Sequence, residues 1–108
     1  MKPAIWRGAA RRDAAEAAWW YATQAGLAEG ERFLAAVENG IAHVSRHPAI
    51  GSSRYAVPLN LDGLRFWPVN GFAYLILHVE IQTHIDIWRV LHAQRDIPEW
   101  MGESKENK

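Results

Sequence analysis

Cysteine is absent from the 108 residues, which fits a reducing compartment and leaves no disulfide to staple the fold. None is needed, because a chain of this length can bury roughly two-thirds of its unfolded surface in one core. Lysine is nearly absent too. Lys2, Lys105 and Lys108 are the only three, all near the ends, so every cation inside the folded body is an arginine. There is no excess of either sign, with twelve basic and twelve acidic side chains. A protein that holds nucleic acid by neutralising many phosphates carries a basic excess, so direct nucleic-acid binding is not expected. Arginine without lysine points instead to forked, hydrogen-bonded contacts with carboxylates or carbonyls. No run of about 18 apolar residues occurs, and the first residues lack the apolar stretch of a signal peptide. The expectation is a soluble cytoplasmic protein with no membrane contact. There are no internal repeats and no second domain.

What is present reads as an α+β chain. "KPAIWRGA" is a short edge-type strand. Alanine density and the lack of breakers predict a helix from Ala9 to Ala25, with Ala14, Ala17 and Tyr21 inward and Trp19 or Trp20 flanking. Gly26 is its C-cap. Phe33, Val37, Ile41 and Val44 share one face of a second helix, which Pro48 stops. A loop with Gly51, Pro58 and the Asp62-Gly63 pair leads to three strands in an antiparallel meander, "LRFWPV", "FAYLILHVEI" and "HIDIWRVLH". Asn70-Gly71 marks the first hairpin and Gln82-Thr83 the second. A short C-terminal helix follows in "DIPEWMG". One domain is expected over 1–101, with a polar disordered tail over 102–108.

The middle strand is apolar on both faces, with Phe72, Tyr74 and Ile76 on one and Ala73, Leu75, Leu77 and Val79 on the other. Two helices cover one face. The other needs either a partner or the C-terminal turn with Ile97 and Trp100. Trp67, beside Pro68, is the first choice among the six tryptophans for an exposed interface position. Trp67, Phe72 and Tyr74 are the expected partner contacts.

Few residues invite catalysis. His43 and His47 are four apart on a helix, but without an HExxH pattern or a third ligand no metal or other cofactor is expected. "GSSR", Gly51 to Arg54, is neither a P-loop nor a nucleophile elbow. Arg65, Arg89 and Arg95 can approach one another across neighbouring strands. Arg89 shares parity with Ile85, Ile87 and Leu91, so it leaves an apolar face; it is expected to pair with Asp86, Asp96 or a C-terminal carbonyl, to belong to an anion- or target-binding patch, or to do both at once. His92 lies between Arg89 and Arg95.

The order "AARRDAAEAAWWYA", "ERFLAAVENGIAHVSRHPAIGSSRY", "GLRFWPVNGFAYLI" and "IDIWRVLHAQRDIPEWM" resembles the ParE toxins of bacterial type II toxin–antitoxin systems, over about Ile5 to Met101. "HPxIG", "GLRxWPV" and "RVLHxxRDI" in that order carry the likeness. The resemblance implies the RelE/ParE fold, a helical hairpin on a small antiparallel sheet. It also implies a ParD-like ribbon-helix-helix antitoxin laid over the toxin. ParE-like members of that group poison DNA gyrase, whereas RelE-like members cut messenger RNA on the ribosome. RelE-like enzymes use lysines, arginines and a tyrosine close after the terminal arginine-containing run. Here the body has no lysine, and Pro98 stands where that tyrosine is expected. The resemblance therefore favours a non-enzymatic gyrase poison with no catalytic residues, over a ribonuclease or a non-toxic relative. Arg65, Arg89, His92 and Arg95 are the expected functional surface.

Overall fold

The chain begins with β1 (Ala4–Trp6), continues through α1 (Gly8–Ala25) and α2 (Leu27–Arg46), and ends in β2 (Leu64–Pro68), β3 (Tyr74–Glu80) and β4 (Ile85–His92). This computed structural model describes residues 1–99. The expectations for Trp100, Met101 and the tail over 102–108 lie outside the described residues. A last helical turn covers 96–99.

The helices follow the sequence periodicity. α1 buries Ala10, Ala14, Ala17 and Ala18. α2 buries Phe33, Val37, Ile41 and Val44, the stripe expected from its spacing. Gly26 joins the two, donating its N–H to Ala22 O as the cap of α1. Alanine on α1 is what lets the helices close up: a Cβ at Gly30 would lie 2.7 Å from Ala18 O. The larger side chains of α2 then reach past α1 to the sheet.

The sheet order is β1-β4-β3-β2. The meander forms as expected, and β1 adds itself in parallel to the far side of β4, pairing Ala4 with Ile85 and Trp6 with Ile87. β1 is therefore an edge strand, and β4 is interior only along its first half. The register between β3 and β4 shifts once, with Leu77 opposite Arg89 but His78 opposite Ile87. Trp88 is thus the extra residue of a bulge, and strand parity changes there. Ile85, Ile87 and Val90 belong to the helix-side core, while Leu91 packs in the opposite cluster. The uniform parity expected for Ile85, Ile87, Arg89 and Leu91 is corrected by that bulge.

The second face of the sheet has a cover that the sequence reading treated only as a loop. Residues 50–61 form a strap around the β2 edge. Ile50 packs on the helix-side core, whereas Tyr55, Ala56, Leu59 and Leu61 pack on the other face with Leu64, Leu77, Leu91 and Ile97. The crossing point is pinned by Ser52 and Phe66, whose N–H groups donate to each other's carbonyls at 3.1 and 2.9 Å. Gly51 is needed there: its φ is +101°, and a Cβ would meet Phe66 O at 2.5 Å. This cover is partial, since Phe66, Leu75, Val79 and Trp88 stay half-buried.

Candidate functional site: the open end of β4

β1 ends at Trp6 while β4 runs on to His92, so among the described residues the last stretch of β4 has no neighbouring strand on that side. Asp13 of α1 takes the place of one. Its Oδ2 accepts the Val90 N–H at 3.0 Å. The same carboxylate holds Arg89 in a forked pair, Nε to Oδ2 at 2.7 Å and a terminal nitrogen to Oδ1 at 2.9 Å. The expected partners of Arg89 were Asp86, Asp96 or a C-terminal carbonyl; Asp13, 76 residues earlier, is a partner that this set did not contain. Asp86 is already engaged by Arg7 at 2.8 Å and by the Trp88 indole N–H at 3.1 Å.

A second clamp follows β4. Asp96 accepts the His92 N–H at 2.9 Å and Arg95 Nε at 2.7 Å, closing the turn that leads into the last helix. Arg95 and the His92 N–H hold the Asp96 carboxyl below its usual pKa. Hydrogen bonds to Asp96 and to the Tyr74 hydroxyl raise the already high pKa of Arg95, so it stays charged. The His92 ring stands edge-on to Tyr74, and its Nδ1 accepts the N–H groups of Gln94 and Arg95, both at 3.2 Å. With Nδ1 accepting, the neutral ring carries its proton on Nε2.

Between the clamps lies a cavity of about 330 Å³. Asp13, Glu16 and Trp20 of α1 form one wall, with Tyr74, Arg89, Arg95, Asp96 and Glu99 around them. The structure therefore brings Arg89 and Arg95 to one place, with His92 adjoining through Tyr74. Arg65 does not join them. It lies on β2, with β3 intervening, and donates to Gly51 O at 3.0 Å, bracing the strap.

The expected partner contacts are also placed differently. Tyr74 is only 4% exposed. With Phe72 it packs on Tyr21 and Phe33, under the chain's own helices. Trp67 is half-buried, its ring 4.9 Å from that of His43 on α2. All three serve the helix-side core. Among the described residues the exposed tryptophans are Trp19 at 73% and Trp20 at 53%. The reason is geometric: positions 17, 18 and 21 of α1 already fill the space under it, which turns 19 and 20 outward. His43 and His47 are ring neighbours, centroids 5.0 Å apart. Among the described residues no group of three side chains is arranged to hold a metal.

Sequence reasoning missed Asp13, Glu16 and Glu99 as parts of this site, and no local signal marked them. It also missed His78, which is fully buried beside Arg65 with neither ring nitrogen hydrogen-bonded among the described residues. Burial, aided by the Arg65 charge, lowers its pKa to about 4, so the ring is neutral.

Residues 4–97 match the model of a family described as the ParE toxin of the type II toxin–antitoxin system parDE. A solved structure of the chromosomal ParDE toxin–antitoxin system from P. aeruginosa superimposes with a TM-score of 0.73 and 12% identity, covering 87% of this chain and 98% of that one. At that identity the likeness shows a shared fold. No curated protein matches the chain in sequence. No helix among the described residues is long and apolar enough to cross a membrane.

Proposed function

The chain belongs to the ParE toxin family of type II toxin–antitoxin systems, and on that premise we propose that it acts in the cytoplasm as a non-hydrolytic poison of DNA gyrase, held inactive by a ParD-like ribbon-helix-helix antitoxin. The observation that carries this reading is the state of the charged groups at the end of β4. Cleavage of RNA needs a base with a free lone pair and cations free to meet a phosphorane. Arg89 and Arg95 are each closed on a carboxylate, and the His92 Nδ1 lone pair accepts two backbone N–H groups. The same groups suit a rigid recognition surface, with Arg89, His92 and Arg95 fixed in position by their partners. The antitoxin is assigned to the second face of the sheet, where Phe66, Leu75, Val79 and Trp88 are only half-buried and an added apolar segment would complete their burial.

Induction of the protein without its antitoxin tests the proposal. Filamentous cells, DNA-damage signalling and loss of normal supercoiling should precede any failure of bulk translation. Cleavage of ribosome-bound messages within minutes, with supercoiling unchanged, would make it a ribonuclease instead.

A further inference from the structure

Both arginines that mark the end of β4 are already spent on the chain's own carboxylates, and this sets the polarity of what the cavity can receive. Arg89 is held by Asp13 and Arg95 by Asp96. Two more carboxylates line the same space, Glu16 on α1 and Glu99 on the last helical turn. Both are exposed and form no ion pair with another described residue. Among the described residues of the lining, two guanidinium groups stand against four carboxylates, two charges negative in sum. The lining also includes Trp20, 53% exposed, whose ring stands edge-on to Tyr21 at 5.1 Å. An exposed indole face beside uncompensated carboxylates attracts a guanidinium or ammonium group.

We infer that this cavity docks an arginine or lysine side chain from a basic segment of the target protein, with Glu16 and Glu99 supplying charge and Trp20 the stacking face. The inference rests on the reading above that the end of β4 faces the target. It reverses what the arginines alone suggest. An incoming phosphate or carboxylate would find both guanidinium forks occupied and would meet Glu16 and Glu99 at the rim. A cation meets the opposite: no resident charge needs to be displaced, and opposite charges across the contact speed encounter and fix register.

The test uses the purified full-length chain and two probes, hexaarginine and hexaglutamate, followed by tryptophan fluorescence at low and raised salt. Hexaarginine should bind, the more weakly the higher the salt, and hexaglutamate should not. The double variant Glu16→Lys, Glu99→Lys should lower hexaarginine affinity by about tenfold or more, and Trp20→Leu should remove most of the fluorescence response. Both glutamates are exposed and outside the clamps, so circular dichroism of the double variant should match wild type. Equal binding of the two peptides, or no effect of the double variant, overturns the inference. Gyrase binding separates this result from the reading beneath it. If wild type binds gyrase and the double variant binds equally well, the cationic docking is wrong and the target reading stands. Should hexaarginine bind as expected while gyrase does not, the cavity's polarity stands and the choice of target falls.

Discussion

The two faces of the sheet are built differently. On the helix side, Phe33, Val37 and Val44 of α2 meet Ile76, Ile85 and Ile87 with almost no exposure, and Tyr21, Phe33, Phe72 and Tyr74 pack ring against ring at 5.0–6.2 Å. On the other side, a strap and one helical turn seal Leu59, Leu64, Leu77, Leu91 and Ile97 while leaving Phe66, Leu75, Val79 and Trp88 half-covered. The first is a domain core. The second is closer to an interface waiting for its other half, because half-buried apolar side chains keep driving force in reserve for a partner. The contrast teaches where stability and recognition are separated in so small a protein. Residues on the helix side hold the fold, and residues on the second face and at the end of β4 are the ones to which the proposal gives binding.

Truncation in the aromatic cluster should have the largest effect. Phe33→Ala removes a fully buried ring from contact with three others, and should cost roughly 3–5 kcal/mol in chemical denaturation. A loss below about 1 kcal/mol would mean that the helix side is not the principal core.

His78 gives the next largest effect, and it sharpens the contrast because it is a buried polar ring on the helix side. Alternation along β3 places it on the face of Tyr74 and Ile76, and its neighbour Ile87 is part of the helix-side core. Its folded pKa, about 4, lies below the ordinary 6.5, so the unfolded chain binds the proton first. Its contribution is fully present above pH 6.5, falls as pH drops toward about 4, and levels off below that. The loss across that window should be about 2–3 kcal/mol. Asp96, whose pKa is lowered from 3.8, adds its own loss only at still lower pH. Denaturation curves of wild type and His78→Leu between pH 7 and 4 should diverge by that slope. Parallel curves would show that His78 has a partner, or access to water, in solution.

The smallest expected effect lies on the second face. Leu75→Ala should cost the free protein only about 1 kcal/mol, because that side chain is half-exposed already. It should cost the antitoxin complex more than that. A denaturation loss as large as that of Phe33→Ala would erase the distinction between the faces, and unchanged antitoxin affinity would remove the second face from the interface.

Much of the fold was legible because its signals are local. The stripe Phe33, Val37, Ile41 and Val44 has the helical period, the alanines of α1 permit close packing, and Asn70-Gly71 forces a hairpin whatever lies around it. Each depends on residues a few positions apart, so the chain's order alone determined two helices, three consecutive strands and their turns. The contents of the site were decided otherwise. Which carboxylate meets Arg89 depends on α1 lying along a stretch of β4 that β1 is too short to reach, and that follows from parallel pairing between the two ends of the chain. Parity beyond Ile87 depends on one extra residue at Trp88, which the alternation of apolar side chains does not announce. The covering role of 50–61 depends on a path around the β2 edge, where Gly51 leaves room for Phe66 O. An arginine or a carboxylate has the same local preference with any partner, so no local pattern could assign Arg89 to Asp13 or bring Glu16 and Glu99 to one cavity. Long-range closure of the chain assigns them, and only the tertiary structure contains it.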